Sequence, residues 1–191
     1  MKKVLIIGAT GSLAPYVAEA INALDNVKLT LFARNVNRLS TYAKEGNSVI
    51  QGDAMQYNDL KNAISGQDIV YVNLAGDLEA MGQNIVKAMQ ETGVKRIIAI
   101  SSIGIYEKPL KPVLVPYRKL ADVIEASGLD YTILRPDWFT NENEVDYVLT
   151  PKGQPETGTA VSRKSIATFV THLIKDPDLH KKENLGISKP D

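Results

Sequence analysis

Val4-Leu5-Ile6-Ile7-Gly8-Ala9-Thr10-Gly11-Ser12-Leu13-Ala14 decides how the rest of the chain is read. Four consecutive apolar residues, three of them β-branched, predict a strand buried on both faces of a parallel sheet. A glycine turn follows at once. Leu13, Val17, Ile21 and Leu24 then recur at helical spacing. Strand, glycine turn and helix in this order form the setting that a dinucleotide phosphate requires. Gly8 lets the chain turn sharply off the strand. Gly11 lets the backbone come close to a pyrophosphate, and Ala14 is small enough for the helix to sit close on the strand. Ala9, Thr10, Ser12 and Leu13 complete the candidate phosphate site, with the free N–H groups of the helix start facing the phosphates.

Outward from this stretch, strands and helices alternate. Strands are expected at Lys28–Ala33, Ser48–Gln51, Asp68–Asn73, Lys95–Ser101 and Tyr131–Leu134. Helices are expected around Val36–Ala43, over Tyr57–Ile64, over Glu79–Thr92 with Gly93 as its stop, and over Tyr117–Ala126. This rhythm gives parallel βαβ units with right-handed crossovers, strand order 3-2-1-4-5-6, and a ligand crevice at the carboxyl ends of strands one and four. Past Pro136 the rhythm changes. Asp146–Thr150 and Thr159–Val161 read as short strands. Ser162 reads as the N-cap of a helix with Ile166, Phe169, Val170, Leu173 and Ile174 on one face, which Pro177 ends. Asn184–Ser188 is expected to add an edge strand. The whole chain, 1–191, reads as one domain, with 136–191 as a short C-terminal part that borders the pocket.

Composition narrows the function. The 22 basic and 22 acidic residues cancel, which gives no electrostatic reason to expect a nucleic acid or an anionic membrane as partner. The absence of cysteine excludes disulfides, thiolate chemistry and cysteine-ligated metal. His172 and His180 lie among lysines with no acid cluster to complete a metal site, so no metal is expected. Met1-Lys2-Lys3 leads straight into the first strand, and no apolar run approaches the roughly 20 residues of a membrane span, so a cytoplasmic protein is expected.

Thr10-Gly11 with Gly8 before and Ala14 after departs from the usual G-x-G-x-x-G. The loop resembles that of the short-chain dehydrogenase/reductase superfamily, and more closely its atypical branch of NmrA-like and flavin-reductase-like NAD(P)-binding proteins. Gly52-Asp53, Asn73-Leu74-Ala75-Gly76 and Ser101-Ser102 extend the resemblance. Its most specific segment is Ser127-Gly128-Leu129-Asp130-Tyr131-Thr132-Ile133-Leu134-Arg135-Pro136. The resemblance implies an α/β, single-domain NAD(P)-binding Rossmann fold, a doubly wound parallel sheet with a small C-terminal extension. By position it implies that Asp53 and Ala54 lie beside the adenine. Leu74, Ala75 and Gly76 would let the dinucleotide pass close to the backbone, with Ser101 among the cofactor contacts and Pro136 near the nicotinamide.

The end of strand two sets the choice of dinucleotide. NAD sites place an acid there for the ribose 2′-OH. This chain has Ala33-Arg34-Asn35 and no Asp or Glu from Val27 to Lys44. Arg34 can pair bidentately with a 2′-phosphate, and Arg38 adds charge one helical turn on. NADP is therefore expected over NAD.

The catalytic signal is broken. The superfamily uses Ser, Tyr and Lys, the last two as Y-x-x-x-K, where lysine lowers the tyrosine pKa for proton transfer. Ser101 or Ser102 fits the serine, with Ser102 taken as the catalytic candidate, and Tyr117 fits the tyrosine, but Ala121 occupies the lysine position, and Lys119 lies about 200° around the helix. Trp138 and Phe139 are candidates to wall a substrate pocket, with a core role as the alternative. An NADP-dependent oxidoreductase acting on a small carbonyl, quinone or flavin acceptor is one reading. A non-catalytic NADP(H) sensor of the NmrA type, bound to a regulated protein, is another. A nucleotide-sugar epimerase is argued against by the missing lysine and the short tail.

Overall fold

The computed structural model describes residues 1–39 and 45–191. Strand β1 (Lys2–Ile7) leads to helix α1 (Ala14–Asn22), then β2 (Val27–Ala33), β3 (Ser48–Gln51), α2 (Tyr57–Ile64) and β4 (Ile69–Val72). There follow α3 (Leu78–Thr92), β5 (Arg96–Ile100), α4 (Val115–Glu125) and β6 (Asp130–Pro136). The tail holds β7 (Phe139–Thr140), β8 (Val148–Pro151), β9 (Val161–Ser162), α5 (Arg163–Lys175) and β10 (Glu183–Ser188). The main sheet runs β3-β2-β1-β4-β5-β6-β10-β8, and β7 pairs with β9 in a separate parallel ribbon. Every pairing in the main sheet is parallel except β10 with β8.

β1 lies at the centre because it buries both faces. Val4 and Ile6 join the core under α1 and α5, whereas Leu5 and Ile7 join the core under α2, α3 and α4. Each such side chain gains roughly 1.5–3 kcal/mol from burial. Fixing a residue's backbone costs roughly 1–2 kcal/mol. A strand apolar on both faces therefore holds its place where a one-faced strand would need help. Helix ends follow local chemistry. Asp77 accepts the Ala80 N–H at the start of α3, Gly93 closes it at φ 77°, and Ser162 accepts the Ser165 N–H to start α5.

Two expectations change. The helix expected around Val36–Ala43 is a 3-10 turn at Val36–Arg38; residues 40–44 lie outside the described residues. The Asn35 carboxamide accepts the Asn37 N–H and starts that turn. β10 is not an edge strand: it lies parallel to β6 on one side and antiparallel to β8 on the other. Its polar residues Asn184 and Ser188 are buried, which an alternating pattern does not announce. The tail thus extends the sheet by two strands and lays α5 beside α1.

Candidate functional site

The carboxyl ends of β1, β2, β3 and β4 meet where the strand order reverses, between β1 and β4. A cleft of about 620 Å³ opens there. Its floor is the glycine turn: Gly8, Thr10, Gly11 and Ser12 line it. Gly8 and Ala9 both donate backbone hydrogen bonds to the Phe32 carbonyl, at 3.1 and 3.2 Å, which folds the turn back over β2. Gly8 sits at φ 90°, and a Cβ there would lie 2.0 Å from the Asn73 carbonyl oxygen. A Cβ on Gly11 would lie 2.8 Å from Asn73 Nδ2. Both glycines therefore admit the β4 end as well as leaving backbone open to the cleft. No side chain caps α1, whose N-cap is Leu13, and Pro15 removes one donor from its first turn. An uncapped helix start facing a cleft favours an anion.

One wall comes from β2. Ala33, Arg34, Asn35 and Arg38 line the cleft. Neither Arg34 nor Arg38 makes an ion pair among the described residues. Next to this wall, at the end of β3, stand Gly52, Asp53 and Ala54, with the Gly52 N–H donating to the Ala33 carbonyl at 3.1 Å, and Asp53 is the one acid among the described lining residues. The β3 end is fixed from behind. Asp59 accepts the Asp53 N–H at 3.0 Å, the Asp53 carboxylate accepts the Met55 N–H at 3.0 Å, and the Asn84 carboxamide donates to the Ala54 and Met55 carbonyls. Asn73, Leu74 and Ala75 close the side nearest β4.

Of the other residues singled out from the sequence, Ala9, Leu13, Gly76, Ser101 and Pro136 do not line the cleft. Ala9 and Leu13 are buried beneath the turn, and Pro136 is buried at the end of β6. The Ser101 hydroxyl is buried and donates to the Tyr117 carbonyl at 3.2 Å, joining β5 to α4. Five lining residues were absent from the sequence-derived site: Phe32, Ala33, Gly52, Asn73 and Met81. Gly52 and Asn73 lie in the stretches that carry the family resemblance, which was their only signal. Phe32 and Met81 read as core from their spacing.

The catalytic candidates lie beyond the cleft lining. Tyr117 is the third residue of α4, half-buried against the core under α3 and α4. The Ser102 hydroxyl donates to the Ile103 carbonyl at 3.1 Å. Lys119 is engaged elsewhere, with Nζ 2.5 Å from Glu79 Oε2 on α3. Trp138 is 83% exposed and so serves no core. Phe139 is half-buried against the core, with the Arg163 guanidinium 5.0 Å from its ring centroid.

A doubly wound sheet with a glycine turn and an uncapped helix at its switch point is a dinucleotide-binding Rossmann domain. Residues 8–177 match the NAD(P)H-binding family, and the chain belongs to it. It is 46% identical to a Rossmann-fold NAD(P)-binding family protein from Shigella flexneri, covering 100% of this chain and 94% of that one with a TM-score of 0.90. It is 25% identical to a short-chain dehydrogenase/reductase from Veillonella parvula in complex with NADP, covering 99% and 95% of the two chains with a TM-score of 0.91. Among curated relatives, phenylcoumaran benzylic ether reductase IRL1 of Ginkgo biloba is 31% identical over 180 residues, 87% of this chain. The chain spans only 57% of that reductase's length. No helix among the described residues is long and apolar enough to cross a membrane.

Proposed function

We propose that this chain binds NADP in the cleft and reduces a small carbonyl, quinone or flavin acceptor. The observation that carries the cofactor choice is the end of β2. Two arginines line the cleft there without acidic partners among the described residues, and the one lining acid, Asp53, belongs to the end of β3 instead. A carboxylate at the end of β2 would repel a 2′-phosphate; a guanidinium binds it. The Veillonella relative in complex with NADP and the Ginkgo reductase support the reading. When bound, the reduced nicotinamide supplies a hydride. The chain's own residues orient the dinucleotide: the glycine turn and the start of α1 take the pyrophosphate, and Arg34 with Arg38 takes the 2′-phosphate. Tyr117 is the candidate proton donor to the acceptor oxygen, and Ser102, on the loop after β5, is the candidate serine.

A second reading has its own support. Ser101 is tied to the Tyr117 carbonyl, Lys119 is paired with Glu79, and Ala121 stands where a lysine would tune the phenol. A chain that binds NADP(H) without turnover and reports its occupancy to a partner protein fits those facts. NADPH oxidation across a panel of quinones and flavins, run beside calorimetric titration with NADPH and NADH, separates the two. Turnover establishes the reductase, and tight NADPH binding without turnover establishes the sensor. Equal affinity for NADH and NADPH would remove the NADP assignment from both.

A further inference from the structure

The loop after β5 is held by a carboxylate from the tail. Its backbone first continues the sheet ladder: the Ser101 N–H donates to the Leu134 carbonyl at 2.7 Å and the Ile103 N–H to the Pro136 carbonyl at 3.0 Å. There the ladder ends. The next donor, the Gly104 N–H, is taken by Glu156 Oε2 at 2.9 Å. Glu156 Oε1 accepts from Arg135 Nε at 2.7 Å. The Arg135 side chain is 1% exposed, and its remaining donors reach the Asn184 carbonyl and carboxamide and the Thr150 carbonyl. Glu156 thus stands between a buried cation on β6 and the backbone of the loop that carries Ser102 and leads to Tyr117. From the other side, Arg118 Nη1 donates to the Ile105 carbonyl at 3.3 Å, and the Asn184 carboxamide donates to the Tyr106 hydroxyl at 2.7 Å.

We infer that Glu156 is a positioning residue for the reductase reaction: it fixes Gly104 and so the placement of Ser102, which is what the C-terminal segment contributes to the site. This rests on the reductase reading above. Buried on one side by a fixed guanidinium, the Glu156 carboxylate has one orientation, so the amide it binds has one position. A carboxylate anchored on two oxygens holds a loop more rigidly than a neutral acceptor, because charge-assisted bonds are about twice as strong. The glycine turn and the arginines after β2, to which the proposed function gives the pyrophosphate and the 2′-phosphate, share no hydrogen bond with this brace, so NADPH affinity does not depend on it.

The test compares the full-length chain with Glu156→Ala and Glu156→Gln. In the first arm, amide hydrogen exchange is followed at residues 102–106 and at β4. Glu156→Ala is expected to speed exchange at Gly104 by about 10- to 100-fold, the loss of one charge-assisted bond, with β4 unchanged. Glu156→Gln leaves one acceptor oxygen where the carboxylate has two; the buried Arg135 guanidinium takes it, so the Gly104 N–H faces the carboxamide NH2 and its exchange is expected to stay several-fold faster than in the unsubstituted chain. Should the alanine variant fail to fold, a several-fold faster exchange at Gly104 in Glu156→Gln supports the brace. Exchange at Gly104 that matches the unsubstituted chain, or that rises equally in β4, overturns it. In the second arm, Glu156→Ala is expected to lower kcat with any accepted quinone or flavin on the order of 10²-fold, as a displaced reacting geometry does, with the NADPH dissociation constant unchanged. Faster exchange with undiminished turnover also overturns the inference. If the unsubstituted chain turns over nothing, the reductase reading has failed, and the positioning role falls with it even where the exchange arm shows a mechanical brace.

Discussion

At the residue scale, Asn73 ties the glycine turn to β4. Its carbonyl occupies the space a Gly8 side chain would need, and its carboxamide occupies the space beside Gly11. Gly11→Ala is therefore expected to push the Asn73 side chain aside before it touches a ligand. The chain should stay folded, because the neighbour that gives way is a side chain, and NADPH affinity should fall at least tenfold as the turn loses its shape, about 1.4 kcal/mol. Calorimetric titration decides it; undiminished affinity would take the pyrophosphate out of this turn. Arg34 sets the second residue-scale expectation. A charge-assisted bond to the 2′-phosphate contributes roughly 1.5–3 kcal/mol, or a 10- to 100-fold preference for NADPH over NADH. Arg34→Ala should erase most of that preference by weakening NADPH alone, and Arg34→Asp should reverse it. Arg38 lines the same wall, so the Arg34→Ala/Arg38→Ala pair gives the cleaner contrast. Both arginines were legible in the sequence, because a missing acid at the end of β2 is a local signal. Phe32 and Met81 were not: an apolar residue on a strand or helix reads as core until the topology shows which end faces a cleft.

At the element scale, strands buried on both faces and helices with a stop residue were the legible ones. α2 begins and ends where its apolar spacing places it, and α3 stops at Gly93. β10 was found but misplaced. Its alternation of Asn184, Leu185, Gly186, Ile187 and Ser188 reads as one wet face and one dry face. The polar side chains are instead buried because each has partners: Asn184 serves Arg135, Tyr106 and Glu125, and Ser188 donates to the Thr157 carbonyl. Gly186 lies beside the same network: a Cβ there would sit 3.3 Å from the Thr150 Cβ and 3.4 Å from Glu156 Oε1. α4 carries the open question. Its Tyr117 carbonyl is engaged by Ser101, but the phenol has no hydrogen-bond partner among the described residues. On the reductase reading, Tyr117→Phe should lower turnover by a factor on the order of 10² to 10⁴, the usual worth of a general acid. NADPH affinity should barely move. A rate unaffected by the change, measured with any accepted acceptor, would leave Tyr117 as packing and shift weight to the sensor.

At the scale of the whole molecule, the tail is bound to the sheet by polar groups as much as by apolar ones. α5 covers β1 and its neighbours with Ile166, Phe169, Val170, Leu173 and Ile174, as its spacing announced. Beside the backbone ladders that pair β10 with β6 and with β8, Arg135 with Glu156, Asn184 and Thr150 ties β8, β10 and the loop before β9 to β6. No periodicity reveals a buried arginine, because charged residues are almost never fully buried unless paired, and its partners lie 15 to 49 residues away. Removing one partner of such a set leaves the others buried and unmatched. Arg135→Met should therefore cost about 3–5 kcal/mol, the usual penalty for breaking a buried pair. In a chain of this length each 1 kcal/mol lowers Tm by roughly 2–4 °C, so the fall should be roughly 6–20 °C. Arg135→Met/Glu156→Gln removes both charges and should cost less than the two single changes added together, because the second substitution relieves the carboxylate that the first one stranded. Urea unfolding of the four proteins, followed by two probes to check for a single transition, closes this cycle. Strictly additive losses would mean that Glu156 and Arg135 stabilise the tail independently, and the polar network would then be a set of separate contacts.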